Sequence, residues 1–500
     1  MLEIFDLELI GKPAILGFSV TILAVLLVVL YGSYNVFLHP LRHYPGPLIW
    51  RAFRLRYVIS IHRGDFHLRL KEFHDKYGLV VRVAPNELSY ADGAAWKDIY
   101  GNRPGHPLLQ KNPTTFQKMN PNDPKSIMSP DEDAHSRMRK AFANAFSEKS
   151  LKDQSPLIEG HIQGFMSQLK SRSGKPIDLV EWLNFLTFDI SGDLSFGESF
   201  DCVKNGKAHT WVEIANGFGR GLAIIATVNL YPPLNKTLHY LLPKKLMQRQ
   251  MDHREISAAK AEKRLAMDTD RPDFVTPVKK FNEKRAGIQP NEWSLNMGII
   301  VFAGSETTAT GLAAIVRELL QNPGVLARLT SEIRERFEEE RHITIATTGN
   351  HPYLDAVINE GLRIAPPAVV GVPRIAPPGG VTICGRHVPK GTYVAVNQFP
   401  ANRLERNFRY PNSFIPERFL DNNPKTDNLT AFQPFGIGRH SCIGMKLAFA
   451  EMRLVLSRLL YSFNIVLADP KDRWDWGTQP SSMFWVKKPL RVVLRKSGRT

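Results

Sequence analysis

Residues Ala431–Leu456 read AFQPFGIGRHSCIGMKLAFAEMRLVL. One cysteine, Cys442, stands among glycines, two residues after His440 and just ahead of an amphipathic run. Glycine lets backbone approach a flat or bulky group closely. The run predicts a helix starting at about Ile443 to Met445 and ending near Leu460. The positive N-terminal end of that helix would point back at the sulfur and favour a thiolate. Taken alone, the thiol fits a packing residue, half of a disulfide, a zinc ligand or a nucleophile.

The rest of the chain narrows these fates. It has three cysteines, Cys202, Cys384 and Cys442. So sparse a set argues against a disulfide framework and for a reducing compartment. No two of them stand at CxxC spacing, which argues against structural zinc. Cys202 and Cys384 read as small buried hydrophobes. A cysteine hydrolase would need a partner histidine and an orienting Asn or Asp, and it stays open on this stretch.

Hydrophobic residues make up 43% of the 500, enough to bury a large core. The net charge is +17, from 65 basic and 48 acidic residues. The basic residues are spread along the chain and no nucleic-acid motif accompanies them, so no nucleic-acid partner is expected. An anionic membrane surface or an acidic protein partner accounts for the charge.

No charged residue occurs from Pro13 to Leu41. The apolar core of that stretch, Ala14–Leu38, exceeds the ~20 residues that span a hydrocarbon layer of about 30 Å. It is too long for the apolar region of a signal peptide. Arginines 42, 51, 54, 56 and 63 follow it, whereas Glu3, Asp6 and Glu8 outnumber Lys12 before it. The positive-inside rule then places the C-terminal bulk in the cytosol. Residues 1–38 are expected to form the anchor. Residues 39–57 would be a stiff, extended hinge carrying Pro40, Pro45 and Pro47, and residues 58–500 the soluble domain.

Within that domain, Gly78–Ala91 alternates like a hairpin turning at Pro85-Asn86. Residues Pro104–Pro130 read as a long loop, and helical patterns dominate from about Asp131 to Ile364. Val381–Asn397 reads as strand, turn and strand, and SSMFWVKKPLRVVL (Ser481–Leu494) as another hairpin. The fold class is therefore mainly α with small β-sheets. Neither GxGxxG nor GxxxxGK occurs, so the chain has no evident nucleotide loop of its own.

Two further stretches carry chemistry. A helix is predicted between Asn291, a plausible N-cap, and Pro323. Between Glu292 and Arg317 its only ionisable side chain is Glu306, inside AGSETTAT. A buried carboxylate is costly unless it is paired or used. Gly304 and the threonine hydroxyls favour a local opening of the helix beside that acid, as a proton relay needs. A satisfied core carboxylate is the alternative. In NHPYLDAVINEGLRIAPP, Asn350 is a predicted cap, and Glu360 and Arg363 share a helix face.

In order, AGSETT (Ala303–Thr308), Glu360-x-x-Arg363, PERF (Pro416–Phe419) and FxxGxxxCxG (Phe435–Gly444) resemble the motifs of a cytochrome P450. The resemblance runs from the anchor to the final strands and looks eukaryotic and microsomal. It is most similar to filamentous-fungal secondary-metabolism monooxygenases of the isotrichodermin hydroxylase type. It implies a cytochrome P450 fold preceded by a single N-terminal transmembrane helix. It makes Cys442 the axial thiolate and metal ligand of haem b, within a loop contributed by Phe435 and Gly436. Glu306 and Thr307 match the acid and alcohol that deliver protons during oxygen activation. Glu360, Arg363 and Arg418 match a buried structural triad.

By the same resemblance, His135, Arg139, Arg374 and His440 would meet the haem propionates. The sequence departs from the pattern in two places. His135 stands where an aromatic residue is usual, and His440 where arginine is usual, with Arg439 one position earlier. Substrate contact maps to Pro104–Met128, Gly217–Leu242, Val301–Thr308 and Ala368–Val372. The implied reaction inserts one atom of O2 into a lipophilic terpenoid, polyketide or alkaloid. Electrons would come from NADPH through a separate cytochrome P450 reductase, at the cytosolic face of the endoplasmic reticulum membrane. A redox-neutral isomerase or dehydratase on the same fold, or a non-enzymatic membrane-anchored haem-binding protein, is the alternative.

Overall fold

Helix α1 (Phe5–Ser33) runs into one π-helical turn, Tyr34–Leu38. The run Leu16–Leu38 has a mean hydropathy of 2.2 and is only 6% buried, so it has the length and composition of a membrane span. The computed structural model describes residues 5–105, 108–115, 123–216, 218–232, 234–240, 243–421, 426–472 and 474–499. Parts of the regions mapped above to substrate contact, residues 106–107, 116–122, 217, 233 and 241–242, lie outside the described residues.

The segment after α1 is turned and helical, not extended. Arg42 and Tyr44 donate backbone bonds to the carbonyls of His39 and Leu41, and helix α2 (Leu48–Ala52) follows Pro47. Polar groups bind this junction to the domain. Asn35 Nδ2 donates to the Ala52 carbonyl at 2.9 Å, and Arg51 Nη2 donates to the carbonyls of Val36 and Arg42 at 3.1 and 3.0 Å. Buried Arg82 donates to the Asn35 carbonyl at 2.8 Å. These bonds satisfy carbonyls left open at the helix end, and that outweighs the extended preference of isolated X-Pro steps.

Among the described residues, ten strands form three sheets: β1 (Val80–Ala84), β2 (Glu87–Tyr90), β3 (Gln110–Lys111), β4 (Pro176–Asp178), β5 (Arg374–Ile375), β6 (Val381–Ile383), β7 (Arg386–Val388), β8 (Tyr393–Val396), β9 (Phe463–Leu467) and β10 (Arg491–Lys496). The largest has the order β1-β2-β8-β5-β3; β4-β10-β9 and β6-β7 make the others. The hairpin predicted at Pro85-Asn86 is present, with Val80 opposite Tyr90. The strand–turn–strand predicted over Val381–Asn397 divides between two sheets. The predicted hairpin at Ser481–Leu494 is absent. Only a bridge between Ser481 and Trp485 forms there, and β10 pairs with β9 and β4. Pro489 cannot donate to a ladder, and alternating Val492 and Leu494 bury their side chains against β9 instead.

The helices that position the site are α3 (Glu132–Ala143), α4 (Leu179–Phe196), α5 (Phe218–Asn229), α6 (Trp293–Gln321), α7 (Pro352–Ile364) and α8 (Met445–Ser462). Helix α6, the long run predicted from its single acid, crosses the core against α4. Its 32-residue apolar stretch is 72% buried, which marks it as a core helix and not a second span. Two predicted caps move. A reciprocal capping box between Gln289 and Glu292, not Asn291, opens the 3-10 turn Pro290–Glu292 that leads into α6. His351 Nδ1 caps α7 by accepting from Leu354 N, while Asn350 takes a left-handed φ of 54°. Helices α6 and α7 meet at Gly361, where a Cβ would fall 2.3 Å from Ile315 Cγ1, so only glycine permits this approach.

Candidate functional site

The cysteine loop is held from within. Cys442 N donates to the Phe435 carbonyl at 2.7 Å, and Gly436 N to the Gln433 carbonyl at 2.9 Å. Gly438 has a φ of 73°, and a Cβ there would lie 2.1 Å from the Tyr100 carbonyl oxygen, so this turn requires glycine twice over. Helix α8 then starts at Met445, as the sequence predicts. The thiol combines access with depth: Cys442 is exposed along one side, yet surrounding protein desolvates it. Burial pushes its pKa up. The Gly444 N–H and the Arg139 guanidinium pull the other way, toward a thiolate.

Arg139, on α3, spends its terminal nitrogens on this loop. Nη1 donates to the Ser441 carbonyl and Nη2 to Ser441 Oγ at 3.3 Å. It braces the residue before the cysteine, and its charge also acts on His135 and Lys111.

A cluster brings His135, Arg374 and His440 together. The imidazoles of His135 and His440 lie 4.2 Å apart between ring centroids. Arg374, on β5, is 3% exposed and sits 5.4 Å from the Tyr100 ring centroid. Burial and the nearby Arg374, Lys111 and Arg439 charges hold His440 down at about 2. Burial with Lys111, Arg139, Arg374 and Arg439 holds His135 at about 4. Both rings are therefore neutral at physiological pH. Arg374 Nη1, His135 Nδ1 and His440 Nε2 are buried with no hydrogen-bond partner. Glu132 Oε1 comes within 3.2 Å of His440 Nε2 but off the line of a hydrogen bond, so both atoms stay unbonded. Each unmet buried polar group costs about 1–3 kcal/mol, and both oxygens of the Glu132 carboxylate are unbonded in the same cluster. Arg439 faces outward, its side chain 46% exposed and 4.0 Å from Glu132.

On α6, Ala303 is exposed and Thr307 half-buried, while Phe302, Ser305 and Glu306 are buried. That face of the helix is therefore accessible rather than packed. The predicted local opening of the helix is absent. Thr307 Oγ1 donates to the Ala303 carbonyl at 2.7 Å, a bond that leaves the helix continuous. Glu306 does not aim its carboxylate at Thr307. Lys487 Nζ donates to Glu306 Oε1 at 2.7 Å, and both side chains are 9% exposed. Helices α6 and α8 pack where Gly311 opposes Met452 Sδ.

Beneath the loop, Glu360 takes two bonds from Arg363, at 2.6 and 2.8 Å, and one from Arg418 Nε at 3.1 Å. Ile415 N donates to the same carboxylate at 2.8 Å. Arg363 also donates to the carbonyls of Asn402, Pro411 and Ser413. This pair is buried, not the exposed i, i+3 pair that spacing alone describes. It ties α7 to the irregular chain leading into the cysteine loop.

Three side chains escaped sequence reasoning. Lys111 is one of three lysines in the Pro/Asn-rich stretch, yet it is 4% exposed, pushed down to about 8 by burial, and bonds the carbonyls of residues 127–129. Glu132 looked like first-turn acid of a helix. Lys487 sat in a presumed hairpin. No local pattern marks Lys111 or Lys487, which distant chain brings to the site; Glu132 stands on α3 three residues before His135.

The chain matches the family model for cytochrome P450 over residues 40–494. It is similar to cytochrome P450 monooxygenase astJ of Aspergillus oryzae, 40% identical over 92% of this chain and 93% of that one. Cytochrome P450 monooxygenase lcsI of Purpureocillium lilacinum is 38% identical over 95% and 93%, and averantin hydroxylase of Dothistroma septosporum 39% over 93% and 89%. With the cysteine loop, the acid-bearing core helix and the buried Glu–Arg–Arg triad already in the order this family uses, the chain belongs to the cytochrome P450 family, whose haem is held through a cysteine thiolate, and is a monooxygenase.

Proposed function

We propose that this protein hydroxylates a lipophilic small molecule in fungal secondary metabolism, of terpenoid, polyketide or alkaloid type. The observation that carries the reading is the pairing of an accessible but desolvated Cys442 with three unbonded nitrogens, Arg374 Nη1, His135 Nδ1 and His440 Nε2. Thiolate and anion receptor are what a haem with two propionates asks of its host, so the residues fit the group. Cys442 would hold the iron, and coordination would remove its proton outright. Arg374, His135 and His440 would receive the propionates, with Phe435 and Gly436 in the loop alongside. Arg139 would set the loop's position through Ser441. The haem supplies the redox centre at which one oxygen atom goes to substrate and the other to water.

Glu306 and Thr307 would move protons on the opposite side, with Thr307 Oγ1 as the last donor toward the reacting oxygen. Residues 1–38 would anchor the chain, 39–57 join it to the domain and 58–500 carry the chemistry. The endoplasmic reticulum membrane, with the domain cytosolic, is the proposed site, and NADPH–cytochrome P450 reductase the electron donor. One of the similar proteins is named a hydroxylase, the same reaction class as this proposal.

The test is the absorption spectrum of the reduced, CO-bound protein. Wild type should give the thiolate-type Soret band, and Cys442→Ala should lose it. A wild-type protein without that band overturns the reading.

A further inference from the structure

The bond that holds Glu306 comes from far along the chain. Lys487 has three ammonium hydrogens and three acceptors: Glu306 Oε1 at 2.7 Å, Asn184 Oδ1 at 3.1 Å and Thr310 Oγ1 at 3.3 Å. All donor capacity is used, and the pair is nearly out of water. Held through Oε1 by Lys487, the carboxylate is not bonded to its neighbour Thr307, whose hydroxyl donates to the Ala303 carbonyl instead.

The segment that carries Lys487 touches the substrate side as well. Phe484 packs edge-on against Phe302 of α6, with centroids 5.3 Å apart. On α5, a Cβ at Gly219 would fall 3.1 Å from Phe484 Cδ2, so the ring is wedged between the two helices. Trp485 Nε1 donates to the Pro366 carbonyl at 2.9 Å, which fixes the middle of the segment. Phe484, Trp485 and Lys487 thus join α5, α6 and the chain after α7 within four residues.

We infer that Lys487 is a positioning residue that latches Glu306 away from Thr307 until substrate shifts the Phe484 wedge. The inference rests on the proton-delivery role proposed for Glu306. No proton leaves Lys487; its ammonium stays charged and only exchanges partners. Released, Glu306 takes a proton from solvent and gives it to Thr307 Oγ1 as that hydroxyl gives its own proton onward, so neither side chain keeps a net proton. The latch makes proton delivery conditional on occupancy of the pocket, and so limits oxygen consumption without product.

The experiment uses full-length protein with NADPH–cytochrome P450 reductase and no added substrate. Lys487→Met should raise basal NADPH oxidation and peroxide release several-fold, Lys487→Arg should return both toward wild type, and Phe484→Ala should mimic Lys487→Met. Separately, thermal unfolding of Lys487→Met, Glu306→Gln and the double variant should be non-additive, since the two side chains share one interaction. Additive midpoints overturn the pair. Coupled midpoints with basal oxidation unchanged in Lys487→Met overturn the latch and leave a structural ion pair. If Glu306→Gln runs NADPH-driven turnover like wild type, the acid's proposed role fails first, and the latch with it.

Discussion

Arg363 grips Glu360 with two hydrogen bonds inside one helix turn, and neither side chain has any exposed surface. Exposed pairs of the same spacing contribute about 0.3–0.5 kcal/mol. Removing one partner of a buried pair costs about 3–5 kcal/mol, because the other charge is stranded. Glu360→Ala and Arg363→Ala should each lose stability of that order in denaturant unfolding. A loss below about 1 kcal/mol would contradict the burial described here.

Haem retention tests the proposed receptor. Arg374→Leu strips out the one buried guanidinium among the three unbonded nitrogens and should speed haem transfer to a scavenger protein. His440→Arg adds a permanent charge where the ring is neutral and should slow it; His440→Ala should speed it. Equal transfer rates in all three variants and wild type would remove these residues from propionate binding.

Electron delivery should depend on salt. The +17 charge favours an acidic partner surface, and screening shortens the Debye length from ~10 Å at 0.1 M to ~3 Å at 1 M. Haem reduction by the reductase, followed in stopped flow, should slow across that range. Rates independent of salt would count against an electrostatic docking face.

Glu451, on α8, is 3% exposed, and burial alone raises its carboxyl to about 8 from an ordinary 4.5. Between about pH 4.5 and 8 the native state keeps a proton that the unfolded chain releases. The native state then binds more protons, so this group's contribution to stability falls as pH rises through that window. Glu451→Gln should flatten the fall and be the more stable protein at pH 8. Identical pH–stability slopes for the two proteins would show that the side chain is not held protonated.

The cysteine loop was legible because its chemistry is local: glycines, sulfur and the start of α8 lie within ten residues. The long core helix was legible because one acid in twenty-odd apolar or neutral positions is conspicuous. Other features depended on contacts that no window of sequence contains. Spacing alone puts Glu360 and Arg363 on one helix face; their burial with Arg418 came only from the family resemblance, and the enclosing carbonyls of Asn402, Pro411 and Ser413 come from distant chain. The segment before β10 alternates well enough for a hairpin, but Pro489 and the demands of Lys487 and Trp485 turn it to another task. Prolines after the anchor promised an extended linker, and the carbonyls of Asn35 and Val36 instead found Arg82 and Arg51.

That last arrangement reaches beyond the junction itself. At Gly32 a Cβ would lie 2.6 Å from Phe53 Cζ, so the end of α1 and the chain after α2 leave no room to slide. If α1 lies in a bilayer, a joint packed this closely would set the tilt of the body that follows it. Lengthening the joint by a few flexible residues would turn a mounted instrument into a tethered one.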